Sequence, residues 1–436
     1  MQTYGFKIDF QPIVEVVDTV SIPKMYKVRQ KFKKHTGFNF NRKLREELNS
    51  KQELLKTLKG KKVCIAAGSR GINNIADVVR QVVDTVKKYG GQPFIIPAMG
   101  SHGGATAEGQ KSVLKELGIY EESVGAPIIS SMDVEYIGST DEGIPVYTSK
   151  DALNADAVIL VNRVKPHASF RGDIESGLVK MCVIGLGKQK GAELCHKRGF
   201  YNFAERLKEM ARIIMLKVPI LLGVALIEDS YDETVDVRVL KSEEFFTVEP
   251  ELLNKARSLM PKILIDNLDV LIVDELGKDI SGDGMDPNIT GRFASEYVKG
   301  ELKVNRIVVL RLTDKTEGNA NGIGMADVTT LRVLNQTDFT KGYINSITAA
   351  ITNTVRFPIV MPNDYLAIKA AIKTSNNLDY SGENCRIVRI KNTLKLENIY
   401  ISEALLEEVK NNPQLEVVEG PLDFKFDEAG QLLTEW

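Results

Sequence analysis

The sequence predicts an α/β fold arranged as two α/β domains, on three observations. Apolar, β-branched runs alternate with amphipathic helical patterns. The segments between candidate strands are long enough for parallel crossovers. Polar, glycine-rich stretches follow several of those strands, where α/β proteins place their ligands.

The candidate strands are residues 62–67, 93–98, 155–161, 220–227, 270–274, 306–312 and 386–390. The candidate helices are 74–88, 107–117, 200–213, 250–259, 346–355 and 365–373. No repeat of fixed period and no low-complexity tract interrupts them. The stretch GKDISGDGMDP at 277–287 is dense in turn formers and precedes a fresh strand–helix alternation, so it is the best boundary. The expectation is a first domain over 1–275 and a smaller second domain over 276–400. The tail, about 400–436, is a candidate to fold back onto the first domain.

With 436 residues, 43% of them hydrophobic and 26% charged, the chain is long enough for more than one core. Its formal net charge is -1 and it has no long block of either sign, which argues against nucleic acid or an anionic membrane surface as partner. The start, MQTYGFKIDF, lacks the apolar centre of a signal peptide, and no apolar run approaches the roughly 20 residues of a membrane span. Four cysteines, Cys64, Cys182, Cys195 and Cys385, form no CxxC pair. They fit reduced thiols in a cytoplasm better than a disulfide framework or a zinc knot. Oligomerisation is left open.

Three strand-end loops carry the chemistry. Ser69-Arg70-Gly71 follows VCIAAG, Ser101-His102-Gly103-Gly104-Ala105-Thr106 follows PFIIPAMG, and Arg163-Val164-Lys165-Pro166-His167 follows AVILVN. Arg, His and Arg/Lys/His at three such ends suggest one pocket. The glycines beside His102 let backbone N–H groups approach an anion, and Arg70 could grip a carboxylate or phosphate in a fork. Two imidazoles from separate loops can deprotonate one face of a carbon or hydroxyl and reprotonate the other, which suits inversion of a stereocentre. On chemistry alone His102, His167 and His196 could instead form a three-imidazole zinc site with an open position, although no HExxH pair is present. A plain α/β ligand-binding protein is the blandest reading. The stretch GLVKMCVIGLGKQKGAELCH, 177–196, adds Lys180 and His196 in an apolar, glycine-rich setting.

Together MGSHGGATAEG (99–109), IGSTDEGIPV (137–146), ADAVILVNRVKPHASFRG (155–172) and ESGLVKMCVIG (175–185), followed by His196, resemble the nickel-dependent lactate racemase family over roughly 60–200. The resemblance implies a two-domain α/β enzyme with its site in the interdomain cleft. The implied cofactor is a nickel-pincer nucleotide, a pyridinium mononucleotide that holds nickel through two thio groups and a ring carbon. Lys180 would tether it covalently, His196 would complete the nickel coordination, and Ser176, Gly177, Gly103 and Gly104 would line it. Lys188 and Lys190 are rival tethers on chemistry alone, and motif position favours Lys180. His102 and His167 would be the acid/base pair and Arg70 would hold the substrate carboxylate. His35, in the polar KFKKHTG stretch, is left over as a solvated residue.

The reaction so implied inverts C2 of a 2-hydroxy acid: one histidine removes the hydroxyl proton while hydride leaves C2, a planar 2-keto acid turns, and hydride and proton return on the other face. The chain also departs from the family. The usual Asp-x-Thr-Arg-Pro turn reads Ala67-Gly68-Ser69-Arg70-Gly71, Gly103 follows His102 where arginine is common, and Asp286, Asn288, Thr290 and Arg292 stand where the family offers Gln and Lys. These changes point to a roomier pocket and a substrate longer than lactate, such as a sugar acid, with Arg292 as a second substrate-binding residue. The implied partners are that small molecule and the biosynthetic enzymes that load the cofactor. The alternatives are a zinc-dependent hydrolase using the same histidines and a non-catalytic carrier of the nickel cofactor.

Overall fold

The computed structural model describes residues 8–69, 72–376, 382–433 and 436. The strands in chain order are β1 (Met25–Gln30), β2 (Lys62–Ala67), β3 (Gln92–Pro97), β4 (Val134–Ser139), β5 (Pro145–Ser149), β6 (Ala157–Arg163), β7 (Ile220–Glu228) and β8 (Thr234–Lys241). They continue as β9 (Leu268–Leu276), β10 (Val304–Leu312), β11 (Val328–Thr330), β12 (Ile359–Met361), β13 (Ile387–Ile390), β14 (Asn398–Ser402) and β15 (Leu415–Leu422). The α/β class expected from the alternating patterns is what the chain adopts.

The chain divides into a central unit, Lys33–Met260, and a terminal unit made of Met1–Phe32 with Pro261–Trp436. The central unit holds a five-stranded sheet in the order β3-β2-β6-β7-β8. β3, β2, β6 and β7 are parallel, and β8 returns antiparallel to β7. The parallel strands read as unbroken apolar runs because both faces are covered. Val63, Ile65, Ile95, Ile159, Val161, Leu222 and Val224 are all fully buried. The helix Ile75–Lys88 packs Val78, Val79, Val82, Val83 and Val86 into the same core, one stripe of an amphipathic pattern. β2 leads outward to β3, and the chain then crosses back to place β6 on the other side of β2. That reversal makes the carboxyl ends of β2 and β6 a topological switch point, where open α/β sheets form their binding crevice.

The terminal unit is an eight-stranded sheet, β12-β11-β10-β9-β13-β14-β1-β15. β12 through β13 are parallel, while β14, β1 and β15 are antiparallel to their neighbours. The expected boundary near 275 and the expected packing of the tail on the first domain are both corrected here. The first 32 residues belong with the late strands, because β1 pairs with β14 on one side and β15 on the other. β15, and with it the tail, thereby completes the ladder of the terminal unit. An unpaired strand edge is costly to leave open, and β1 is long enough to satisfy both.

One buried ion pair anchors that sheet. Arg389 on β13 forks onto Asp274 on β9, with Nε to Oδ1 at 2.9 Å and Nη2 to Oδ2 at 2.8 Å. Its guanidinium lies 5.1, 5.2 and 4.9 Å from the rings of Tyr400, Phe424 and Trp436, and the Trp436 indole N–H donates to Asp274 at 3.0 Å. Arg389→Met leaves a buried carboxylate without its cation and is expected to cost about 3–5 kcal/mol. Urea unfolding followed by fluorescence of Trp436, the sole tryptophan, checks this; a loss below about 1 kcal/mol contradicts it.

All four cysteines are buried, and none lies in a disulfide. Among the described residues no helix is long and apolar enough to cross a membrane.

Candidate active site

The loops after β2, β3 and β6 meet at the switch point. A Cβ added at Gly68 would stand 3.0 Å from Asn162 Oδ1, so the β2 and β6 ends are in contact. Ser69 Oγ and His102 Nδ1 are hydrogen-bonded at 2.5 Å, which joins the β2 and β3 loops. Asn162 Nδ2 donates to Gly177 O at 3.0 Å and ties in the start of the lysine-bearing segment. Arg70, the expected carboxylate ligand, lies outside the described residues.

His102 is exposed, at the entry to a tight turn over Gly103–Ala105. Gly103 and Gly104 both have φ of 64°, a region that favours glycine. At Gly103 a Cβ would also collide with the Gly109 backbone at 2.5 Å, whereas at Gly104 nothing lies within 4 Å. The buried Gln110 donates from Nε2 to Gly100 O at 2.8 Å and to His102 O at 3.2 Å, holding the loop from beneath.

His167 is half-buried in a loop closed by the reciprocal backbone pair of Lys165 and Ser176. Ser169 N–H donates to His167 Nδ1 at 3.0 Å, so a neutral ring carries its proton on Nε2. The loop is organised by Glu175, a wholly buried carboxylate. Glu175 accepts from His167 N–H at 2.6 Å and Gly172 N–H at 3.2 Å, and it pairs with Arg257 and, at 3.5 Å, with Arg171. The sequence reading gave Glu175 no role, because its partners are backbone groups and an arginine far along the chain.

Both remaining site histidines meet one aromatic cluster. Phe170, Phe200 and Phe203 stack with centroids 4.7–6.0 Å apart. The His167 ring lies 4.5 Å from Phe170 and 6.0 Å from Phe200, and the His196 ring lies 5.5 Å from Phe200 and 5.0 Å from Phe203. His196 Nδ1 is 2.7 Å from Ala192 O, which can only accept. The proton is therefore on Nδ1 and the Nε2 lone pair is available. Burial pushes the His196 pKa down to about 4, opposed by the Ala192 bond and aided by the charges of Lys180 and Arg206. The ring is neutral at pH 7, the form that binds metals, and its tautomer is fixed by a backbone carbonyl in the manner of metal-bound histidines. Arg206 caps the turn that follows, donating to Cys195 O, Gly199 O and Tyr201 O at 2.9 Å each.

Lys180 is half-buried and close enough to His196 and Cys195 for its charge to act on both. It ends a short helical turn, Leu178–Lys180, that runs into a π turn over Met181–Gly185. The turn begins against Glu249, whose Oε2 accepts from Leu178 N–H at 2.8 Å and Val179 N–H at 3.1 Å. A Cβ at Gly177 would sit 2.3 Å from Glu249 Oε1, so only glycine admits this carboxylate. Gly100 stands against Ile184 and Ala192, which brings the His102 loop onto the segment carrying Lys180 and His196.

The rival lysines are otherwise engaged. Lys188 is fully buried, with Nζ bonded to Pro97 O at 2.6 Å, and Lys190 lies 4.0 Å over the Tyr147 ring. The three-imidazole zinc site is not formed: among the described residues no group of three or more His, Cys, Asp or Glu side chains converges on a common point. His35 is not simply solvated; its Nδ1 lies 3.3 Å from the buried Asp229 carboxylate.

Arg292, expected to meet substrate, is tied up in the terminal unit. It pairs with Asp327 and donates to Met325 O at 3.0 Å, Val304 O at 3.3 Å and Asn305 O at 3.0 Å, so its guanidinium braces loops. Asp286 caps the turn at Asn288 N–H, 2.9 Å away, and also accepts from the Asn288 side chain. An apolar hollow beside Phe339, Tyr343 and Phe357 also belongs to the terminal unit; no charged side chain lines it.

Residues 65–249 match the model of a domain of unknown function, DUF362. That span contains every residue of the switch-point cluster. No curated protein matches the sequence. Among solved structures the chain is similar to the lactate racemase apoprotein of Thermoanaerobacterium thermosaccharolyticum, at 14% identity and a TM-score of 0.52, over 90% of this chain and 96% of that one. A structural-genomics crystal structure of a Thermotoga maritima protein also matches, at 14% identity and a TM-score of 0.49, over 72% of this chain and 82% of that one. The fold is α/β and lactate-racemase-like.

Proposed function

We propose that the chain is a racemase or epimerase acting at C2 of a 2-hydroxy acid, with a nickel-pincer nucleotide tethered to Lys180. The observation that carries the reading is the state of His196. It is a buried, neutral imidazole with Nδ1 committed to Ala192 O and Nε2 open, beside a lysine and against the aromatic cluster that also holds His167.

The residues fit such a group. The neutral imidazole of His196 would be the nickel ligand of such a group. Phe170, Phe200 and Phe203 offer a water-excluding wall, and Gly177 leaves room for the Glu249 carboxylate that holds the turn carrying Lys180. When bound, the cofactor would supply a reversible acceptor for the hydrogen on C2.

The rest falls to the chain's own side chains. His102 is held at Nδ1 by the Ser69 hydroxyl, which can donate or accept, so the ring keeps its partner as it gains and loses a proton at Nε2. His167 is held at Nδ1 by a backbone N–H, which only donates. It presents an N–H at Nε2, and protonation at Nδ1 gives up the Ser169 bond. The two acid/base groups are therefore held differently, His102 through a hydroxyl and His167 through a backbone N–H. Arg70 is assigned the carboxylate, fixing the substrate so that only the reacting carbon turns. The substrate proposed is longer than lactate, such as a sugar acid.

The test is to produce the chain together with the cofactor's biosynthetic enzymes. Intact mass should show an adduct that Lys180→Ala lacks, metal analysis should show nickel, and single enantiomers of 2-hydroxy acids should invert. Zinc without a mass increment on Lys180 supports the hydrolase reading instead. An adduct with nickel but no inversion of any 2-hydroxy acid supports a carrier.

A further inference from the structure

We infer that Lys188 is a positioning residue that fastens the His102 loop to the helix bearing His196, acting through Pro97 O and the Gln110 side chain. This rests on the roles proposed above for His102 and His196.

Lys188 is the first residue of the helix Lys188–His196 and has no exposed surface. A buried ammonium is costly unless its protons find acceptors, so an apolar side chain of equal length would fill the same space more cheaply. Its φ of 54° is also an unusual one for a residue with a side chain. The bonds it makes account for its presence. Nζ donates to Pro97 O, the last carbonyl of β3, at 2.6 Å and to Gln110 Oε1 at 3.4 Å. Gln110, also wholly buried, passes the connection on, with Nε2 donating to Gly100 O at 2.8 Å and His102 O at 3.2 Å.

One lysine–glutamine pair thus links the helix of the candidate metal ligand, the end of β3 and the loop of a candidate acid/base group. Gly100 packs on Ile184 and Ala192 in the same region, so the loop touches the segment, and these polar bonds add direction to that contact. Asp151 is the charged group that reaches Lys188 and the Cys64 thiol beside it stays neutral; burial lowers the lysine's pKa to about 8, so the bracket holds its charge at neutral pH.

Two variants separate positioning from simple core packing. Lys188→Met keeps the length and loses every donor. Gln110→Glu keeps an acceptor for Lys188 and loses the donors to Gly100 O and His102 O. Amide hydrogen exchange on the full chain should quicken by about tenfold or more across residues 98–106 in both variants, while the helix Ile75–Lys88 stays as in the wild type. Unchanged exchange at 98–106 in Lys188→Met, wild-type behaviour of Gln110→Glu, or equal acceleration in Ile75–Lys88 each overturns the assignment. In the cofactor-loaded enzyme both variants should lower kcat with KM within about twofold, since orientation and not binding is lost. If loaded wild type turns over no 2-hydroxy acid, the functional reading fails, while the exchange result still decides the role of Lys188.

Discussion

His102→Ala and His167→Ala are each expected to reduce inversion of the 2-hydroxy acid by about 10²–10⁴-fold, the usual contribution of a positioned acid/base group. Nickel content and the adduct mass on Lys180 should stay at wild-type values, because the ligand assigned to the metal is His196. The two losses should also differ in kind. Ser69→Ala removes the hydroxyl bonded to His102 Nδ1 without touching His167, so it should shift the pH profile of the reaction while leaving nickel loading intact. Chiral chromatography from each pure enantiomer, with loading measured on the same samples, gives the answer. Full activity in either histidine variant would remove the two-base scheme, whatever the metal content.

The second large effect concerns the ground beneath Lys180. Glu249 is wholly buried, and burial raises its pKa from 4.5 to about 7 against the pull of the Leu178 and Val179 N–H groups. Folding therefore takes up a proton between those values. The stability associated with the protonated form is complete below about pH 4.5 and declines as pH rises to about 7. The total is on the order of 3 kcal/mol at 1.36 kcal/mol per unit. Glu249→Gln keeps an oxygen for both N–H groups and cannot ionise. Its stability should be flat over that window relative to wild type, and higher above pH 7. Gly177→Ala acts in the opposite sense: it drives a methyl group to 2.3 Å from Oε1, an overpacking that costs about 1–3 kcal/mol and displaces the turn presenting Lys180. Adduct yield should fall with it. Urea titrations at pH 5, 6, 7 and 8 measure the first effect; identical pH slopes for wild type and Glu249→Gln would refute it.

Much of the central sheet was legible because its strands are buried on both faces. The runs VCIAA, FIIP and AVILV have no polar position to confuse with helix, and β2, β3 and β6 fall on them to within two residues. The hairpin β4–β5 was not read as strands, since its residues are largely half-exposed and alternate weakly. The helix expected at 346–355 lies at Phe339–Ala349, started by Asp338, whose carboxylate accepts from Thr340 and Lys341 N–H. That capping signal was in the sequence; the apolar run after it drew the expectation too late. The histidines and Lys180 stand in the sequence as an ordered set of motifs, and the roles assigned to them are the proposal. Glu175, Glu249, Gln110 and Lys188 were not legible, because each works by bonding to backbone atoms of remote segments, and such bonds leave no spacing to read. The partners of Arg292 were equally hidden: Asp327 and three carbonyls hold its guanidinium, and none of them has a fixed spacing from it.

The place of β1 between β14 and β15 has a consequence for how the molecule is made. During synthesis this strand leaves the ribosome before either neighbour exists, and the entire span Lys33–Met260 follows as one contiguous block. The central sheet has all its strands in hand while the terminal one is still missing most of its own. β1 therefore has ladder partners to pair with only once β14 and β15 have been translated.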